Sequence, residues 1–491
     1  MEKQECIATK YSERYTLIGE DGKPTNKEVE HELKTVTKVP KLGFMIVGLG
    51  GENGTTVTAG ILANQKKLKW LSKRGEAQAG YYGSFTQCVT TKVGLKAKKL
   101  ETGDFKIEDV HMAIKDLLPM VNPNDLVIGG WDINNANMYE ACLKAHVLEP
   151  DMIRQLEPEL KAMTPLTAAF CVPYVAPAQL ERANNIKKGT NKELVAQLRE
   201  DISNFKKKNK LDKILVLWTS NTEKYYDNTI ESIPELEKLI ETNASLPASV
   251  LYVVAALKEK AIFINGSSQN TLHTAVLKLA EKEGVPVGGS DVKTGQTKYK
   301  TAMADFLIGS GLRCASVVSY NHVGTSDAKN LADPMTFKSK EISRGMVLDD
   351  SIKSNPVLYP PGEDKIDHIV VIKYCPFVGD SKRAIDEYTS EIFLQGHNTI
   401  MTYNVCETSL LAAPLLIDVC ILAELMTRIS IDSKPMGPAL SYLSYFFKAP
   451  STNHSEYILN SFTRQMKALT SLLKACAGYA PDDATLLSFN Y

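Results

Sequence analysis

The sequence predicts an α/β protein with a largely parallel sheet, and three observations carry that reading. Short, β-branched apolar runs bounded by Gly, Asn or Pro recur along the chain, at Phe44–Val47, Leu126–Ile128, Ile214–Trp218, Ile262–Ile264, Ser316–Ser319 and Ile369–Ile372. Helical patterns such as Lys192–Phe205 and Thr271–Lys282 lie between them, and alternation of this kind builds parallel sheets through crossover helices. A glycine loop follows the first run, and runs of Asn, Ser, Thr and Gln follow several later ones.

Residues 1–42 come first, polar and ending near Pro40, and read as an arm that packs on another surface. The chain of 491 residues has room for about two to four domains. Its 57 basic and 57 acidic residues cancel, and no basic stripe is present to neutralise a nucleic-acid backbone, so neither nucleic acid nor a membrane surface is expected as a partner. The first twenty residues hold Glu2, Glu5, Glu13 and Glu20 without an apolar core, unlike a signal or transit peptide, so a cytoplasmic protein is expected. Nine scattered cysteines without a Cys-x-x-Cys pair indicate neither a disulfide framework nor a zinc cluster. No His/Asp/Glu cluster has metal-ligand spacing, and none is expected to hold a metal. The stretch Asp349–Asp364, with Pro356, Pro360, Pro361 and Gly362, reads as a loop excursion. Leu410–Ala423, interrupted by Asp418, is too short to cross a bilayer and reads as a buried core helix.

The strand Phe44–Val47 runs into Gly48-Leu-Gly-Gly-Glu-Asn-Gly54, and a helix to Gln65 follows. In this arrangement backbone N–H groups and a helix dipole meet a pyrophosphate. The third glycine comes one place late, at Gly54 rather than at Asn53, which makes the loop one residue longer. No acidic residue lies between Asn53 and Gly75, where a ribose-binding carboxylate normally stands, and Asp132 after Gly129-Gly130-Trp131 is its substitute. A glycine turn that only packs a strand on a helix is the alternative. Its position after the first strand of an α/β pattern favours the dinucleotide site.

Three strands end in polar runs, at Trp218–Thr222, Asn265–Thr271 and Ser319–Gly324. Each alone reads as a turn or helix cap, but three together present hydrogen bonds to one polyhydroxylated ligand at the carboxyl edge of a sheet. His322 and His397 read as hydrogen-bonding residues rather than catalytic bases. The lysines at Lys298, Lys300, Lys340, Lys382 and Lys448 each sit beside small polar or apolar residues. Each alone is a surface residue; if they converge they form an electropositive pocket for a phosphorylated substrate, in which a desolvated lysine transfers protons near neutrality.

With the blocks Gly48–Gly54, Leu217–Tyr225, Asn265–Thr271, Ser319–Gly324, Ser339–Ser343 and Asn404–Glu407 in this order, the chain resembles the eukaryotic inositol-3-phosphate (myo-inositol-1-phosphate) synthases over nearly its whole length. The resemblance implies a Rossmann-like NAD-binding domain, here residues 43–297, interrupted by a smaller α/β catalytic and tetramerisation domain, 298–411, with 412–491 returning to the first. It implies a homotetramer, with Ser316–Ser319 and Ile369–Ile372 available to pair across subunits. It implies NAD, held by Gly51, Asn53, Gly54, Asp132, Gln179, Arg182, Thr219, Asn221, Thr222, Gly266, Ser267, Asp291, Thr294 and Asp327, with Glu52, Lys340 and Asp380 beside them. NAD is expected over NADP because the loop region offers no arginine for a 2′-phosphate and Asp132 repels one. Three departures stand out: Glu52 for the loop asparagine, Arg344 for the second lysine of Ser-Lys-Glu-Ile-Ser-Lys, and Thr408 for an aspartate after Cys-Glu.

The implied reaction converts D-glucose 6-phosphate into 1D-myo-inositol 3-phosphate, the first step of inositol and hence inositol-phospholipid biosynthesis. C5 is oxidised, C6 enolises and attacks the C1 aldehyde, and C5 is reduced again. Lys340 is the expected base for the C5 hydroxyl, oriented by Asp327 or Asp291, with Lys382 and Lys448 stabilising the enolate and Arg344, Asn321 and the backbone near Ser267 holding the chain folded. Arginine at 344 is a poor proton shuttle, its pKa lying above roughly 12. The alternatives are an NAD(P)-linked oxidoreductase on a phosphorylated sugar and a catalytically silent NAD-binding regulator.

Overall fold

A computed structural model describes residues 5–99, 105–362, 365–452 and 460–480. Its main sheet has six parallel strands, in spatial order Val287–Gly289, Ile262–Asn265, Lys213–Trp218, Leu42–Val47, Val127–Asp132 and Leu166–Thr167. Numbered along the chain this is 6-5-4-1-2-3, the doubly wound order of dinucleotide-binding sheets, and the α/β expectation holds. The order reverses between Leu42–Val47 and Lys213–Trp218, where the crossovers leave a crevice at the strands' carboxyl ends.

Alternation along each strand explains how both faces are covered. Phe44 and Ile46 point into one core with the helices Glu52–Gln65 and Thr408–Met426. Met45 and Val47 point into the other, with Asn191–Lys208 and Ala248–Lys258. Thr408–Met426 contains the predicted core helix. It is the one helix among the described residues long and apolar enough to cross a membrane, and it lies buried in the protein core. Asp418 within it accepts from Ser84 Oγ at 2.7 Å and from the amides of Phe85 and Thr86 at 2.5 and 3.0 Å. The buried carboxylate thereby satisfies the first amides of the short helix Phe85–Cys88.

A second sheet follows, in the order Asp367–Tyr374, Arg313–Val323, Ser381–Glu391 and His397–Glu407. Its first two strands are parallel and the others antiparallel. The expectation that Ser316–Ser319 pairs across subunits is corrected: Val318 faces Ile369 on one side and Glu387 on the other, so both edges of its strand are taken within the chain. One sheet face packs on the helix Gly295–Gly309, while the other exposes Tyr320, Ile369, Met401, Tyr403 and Val405.

The amino-terminal segment is a long hairpin, Cys6–Ile18 with Pro24–Val36, whose base pairs with Ile429–Ile431. Its strands escape an apolar-run reading because their alternation is largely polar, as in the Lys10–Glu30 ion pair at 2.7 Å. The predicted excursion from Asp349 begins as the short helix Asp349–Lys353, and its last two residues lie outside the described residues.

Candidate active site

A cavity opens at the switch point of the main sheet and runs toward the second sheet. At its first end stands the glycine loop. Gly48 has φ +89°, and a Cβ there would meet Ser220 Cα at 2.8 Å, so only glycine lets the loop lie against the next strand's end. A Cβ on Gly54 would meet Leu49 O at 2.3 Å, which keeps the helix start against the loop. The helix Glu52–Gln65 begins at Gly51 with no side-chain cap, leaving first-turn amides for an anion from the cavity.

Asp132 ends the neighbouring strand, where a ribose-binding carboxylate belongs. Its Oδ2 accepts from Gly50 N and its Oδ1 from Asn134 N, each at 2.9 Å, so it braces the loop it faces. Burial pushes its carboxyl up, while Arg182, 3.5 Å away, and these amides pull it down. The loop itself carries no arginine, as expected; Arg182 comes from elsewhere in the chain and is paired with Asp132. Two buried donors on the cavity wall, Arg182 Nε and Trp218 Nε1, have no hydrogen-bond partner among the described residues. An uncapped helix start, a carboxylate on the adjacent strand and orphaned donors fit a dinucleotide.

The second end is cationic. Asp291 accepts from Lys448 Nζ at 2.8 Å, Lys340 Nζ at 3.3 Å and Ser343 Oγ at 2.7 Å. Burial opposes its charge, yet Lys340, Lys448 and Arg344 together hold its carboxyl well below the usual range. Burial lowers Lys448 to about 7, with Asp291 opposing and Lys340 and Arg344 assisting. Lys382 is pushed well below the ordinary lysine value by burial first and then by Arg344. Arg344 Nε is buried without a partner among the described residues.

The predicted residues Gly51, Glu52, Asn53, Asp132, Gln179, Arg182, Thr219, Asn221, Thr222, Gly266, Ser267, Asp291, Thr294, Asp327, Lys340, Arg344, Lys382 and Lys448 all line this cavity. Gly54, Asn321 and Asp380 stand outside its wall. Gly54 sits under the loop, and Asn321 Nδ2 donates to Val371 O at 3.1 Å. Asp380 gives both carboxylate oxygens to Ser409 N at 3.0 Å, because the long helix starting at Thr408 needs an acceptor there. Asp327 takes the amide of Thr222 at 2.9 Å, so Asp291 and not Asp327 orients Lys340. Glu52 turns its two oxygens to Ser326 N and Oγ, each at 2.8 Å, and thus away from the helix start. His322 and His397 are exposed on the second sheet, away from the cavity.

Sequence reasoning missed Glu223, whose carboxyl burial raises to about 7 and whose Oε1 accepts from Ser249 N at 3.3 Å on the cavity wall. The signal for it was its place directly after the polar run at 218–222.

A family model described as myo-inositol-1-phosphate synthase matches residues 42–474. The chain belongs to this family. Among its relatives is inositol-3-phosphate synthase 1 of Populus euphratica, 45% identical over 94% of this chain and 91% of that one. Isozyme 1 of Arabidopsis thaliana is 45% identical with the same coverage. The crystal structure of inositol-3-phosphate synthase from Caenorhabditis elegans superposes with a TM-score of 0.94 at 41% identity, covering 100% of this chain and 96% of that one. A related protein of Thermotoga maritima, at 18% identity and a TM-score of 0.61, shares the fold. Family membership supports NAD as the cofactor.

Proposed function

We propose that this chain is an isomerase that converts D-glucose 6-phosphate into 1D-myo-inositol 3-phosphate with NAD, the reaction after which its relatives are named. The observation that carries this reading is the meeting of Lys340, Lys448 and Arg344 at the carboxylate of Asp291, with Lys382 on the same wall, at one end of the cavity. That excess of positive charge, with Arg344 Nε unpartnered, suits a substrate phosphate.

NAD, when bound, takes a hydride from C5 and later returns it. The glycine loop, Asp132, Thr219, Asn221, Thr222 and Ser267 are the residues that would hold it, with Arg182 beside Asp132. Lys340, fixed by Asp291, acts as the neutral amine: it receives the proton of the C5 hydroxyl and becomes the ammonium that Asp291 holds. Lys448, able to exchange a proton near neutrality, and Lys382 face the enolate oxygen. Arg344 anchors the phosphate, which holds the open chain folded for the aldol closure. The cations leave no role for a histidine base.

Finer readings belong here too. We take residues 298–411 as the inserted domain: the four strands of the second sheet lie within them, although the helix packed on that sheet starts at Gly295, and the described residues of 412–480 contribute to the first core. A homotetramer is supported by the open apolar face of that sheet, with Met401 and Tyr403 each 64% exposed. All nine cysteines are free thiols, which supports a reducing cytoplasmic setting, and the proposed product supports a place in inositol and phospholipid synthesis.

The test is to incubate the protein with glucose 6-phosphate and NAD and identify the product by NMR. Inositol phosphate without accumulated reduced cofactor is expected. An oxidised sugar phosphate with stoichiometric reduced cofactor would establish the oxidoreductase alternative, and no turnover with intact NAD binding the silent regulator.

A further inference from the structure

Behind Lys382 lies a buried polar chain whose members are set side by side by the two regular periodicities of the backbone. Lys382 and Asp386 are four apart on the strand Ser381–Glu391 and so share its inner face. Ser319 stands directly opposite Asp386 on the neighbouring strand. Gln296 and Lys300 are four apart on the helix that packs on that face. All five side chains are buried.

The direction of every hydrogen bond in this chain is forced. A lysine ammonium only donates, so Lys300 Nζ gives to Ser319 Oγ at 2.6 Å and to His368 Nε2 at 3.1 Å. Ser319 Oγ therefore spends its hydrogen on Asp386 Oδ1. The carboxylate, which only accepts, takes Gln296 Nε2 at 3.1 Å. With its amide nitrogen committed there, Gln296 presents its carbonyl oxygen to Lys382 Nζ. Without Asp386 the amide would still turn its carbonyl toward the ammonium but would lose the anchor that fixes where that carbonyl stands. Lys382 has no carboxylate within salt-bridge distance among the described residues, so this carbonyl is what aims it.

We propose that Asp386 is a positioning residue for Lys382, acting through Gln296, and that Ser319 and Lys300 hold Asp386 in that task. The proposal rests on the reading that Lys382 faces the enolate as a cation. Asp386 also bears on that cation's charge. Burial, Arg344 and Lys448 lower the proton affinity of Lys382, whereas Cys406 and Asp386 raise it. Burial lowers Lys300 to about 8, against the pull of Asp386, and keeps His368, its acceptor, neutral. A network that only glued helix to sheet would leave the pH dependence of turnover alone.

The experiment compares Asp386→Asn, Gln296→Met, their double variant and Lys382→Met with the wild type in kcat, KM and pH profile. Because Lys382 acts protonated, activity falls as pH rises through its pKa, and removing a carboxylate that raises that pKa moves the alkaline limb to lower pH. Asp386→Asn is expected to lower kcat about 10- to 100-fold, as loss of outer-shell partners does in other sites, with KM for glucose 6-phosphate unchanged. Gln296→Met should do the same, and the double variant should lose no more than either single one. Should Asp386→Asn fail to fold, Gln296→Met carries the test alone. Wild-type kcat and an unmoved limb in folded variants, with Lys382→Met inactive, would overturn the positioning role only. Full activity in Lys382→Met would overturn the reading of Lys382 as well.

Discussion

Asp291 and Lys448 form a buried ion pair, Nζ to Oδ1 2.8 Å, that joins the loop after the last strand of the main sheet to a segment 157 residues further on. The same carboxylate oxygen also receives Lys340. Proton affinities at this end of the cavity are therefore coupled, and the carboxylate decides how many of its cations stay charged.

Asp291→Asn should be the most damaging single change at the site. It removes the common acceptor of Lys340 and Lys448 and leaves Arg344, Lys382 and these lysines repelling one another. A loss of turnover of at least about 10²-fold is expected with NAD binding retained. Steady-state rates together with cofactor titration check it.

Lys340→Ala and Lys448→Ala should stop the reaction at different stages. Without its base, Lys340→Ala should leave C5 unoxidised, losing about 10² to 10⁴ in rate. Lys448→Ala should still form the 5-keto sugar phosphate. Quenching single turnovers with borodeuteride and looking for deuterium at C5 separates them. Label at C5 in Lys340→Ala at the normal rate would refute its assignment.

Asp132→Asn should relax the choice of cofactor. The carboxylate that braces Gly50 would no longer repel a 2′-phosphate, and Arg182 would be released to bind one. A preference for NAD reduced by about tenfold or more, roughly 1.4 kcal/mol, is expected in parallel titrations with NAD and NADP. An unchanged ratio would count against this role.

Stability should rise with pH between 7 and 8. Burial lowers Lys293, Lys298 and Lys448 to about 7 and Lys300 to about 8 in the folded chain, against an ordinary value of 10.5. Above about 7 the unfolded state binds more protons at these four lysines, which outweigh Glu223, raised to about 7 and acting the other way, so the slope is positive, at most about 1.4 kcal/mol per pH unit for each lysine. Burial raises Cys142, Cys171 and Cys476 to between about 11 and 12, and these oppose the trend only once unfolded thiols ionise above about 8.5. Denaturant midpoints across the interval measure the slope, and a falling midpoint would sink the prediction.

Tyr403→Asp should lower the mass in solution without unfolding the chain. Tyr403 lies on the open face of the second sheet and is 64% exposed, so a charge there can remain solvated. Light scattering and circular dichroism read the two effects, and a retained tetramer would show that this face is not the interface.

The sequence by itself determined the parallel sheet, the glycine loop and the core helix, because each rests on a local period or a local steric need. Strand runs are legible when both faces are buried, as in Phe44–Val47, and a loop that admits no Cβ at Gly48 must be written in glycine. The family resemblance carried the site residues, and eighteen of them line one cavity: the positions 51–53, 132, 179, 182, 219, 221, 222, 266, 267, 291, 294, 327, 340, 344, 382 and 448. What remained was decided by tertiary structure. Antiparallel pairs such as Ser381–Glu391 with His397–Glu407 were missed because one face is open and its alternation mixes polar with apolar residues. Which aspartate serves Lys340, why Asp380 turns to Ser409 and how Arg182 reaches Asp132 depend on contacts between segments 49, 29 and 50 residues apart. Hydrogen bonds between distant segments leave no period in the chain, and a charge moves a pKa only through the distance and burial that folding creates.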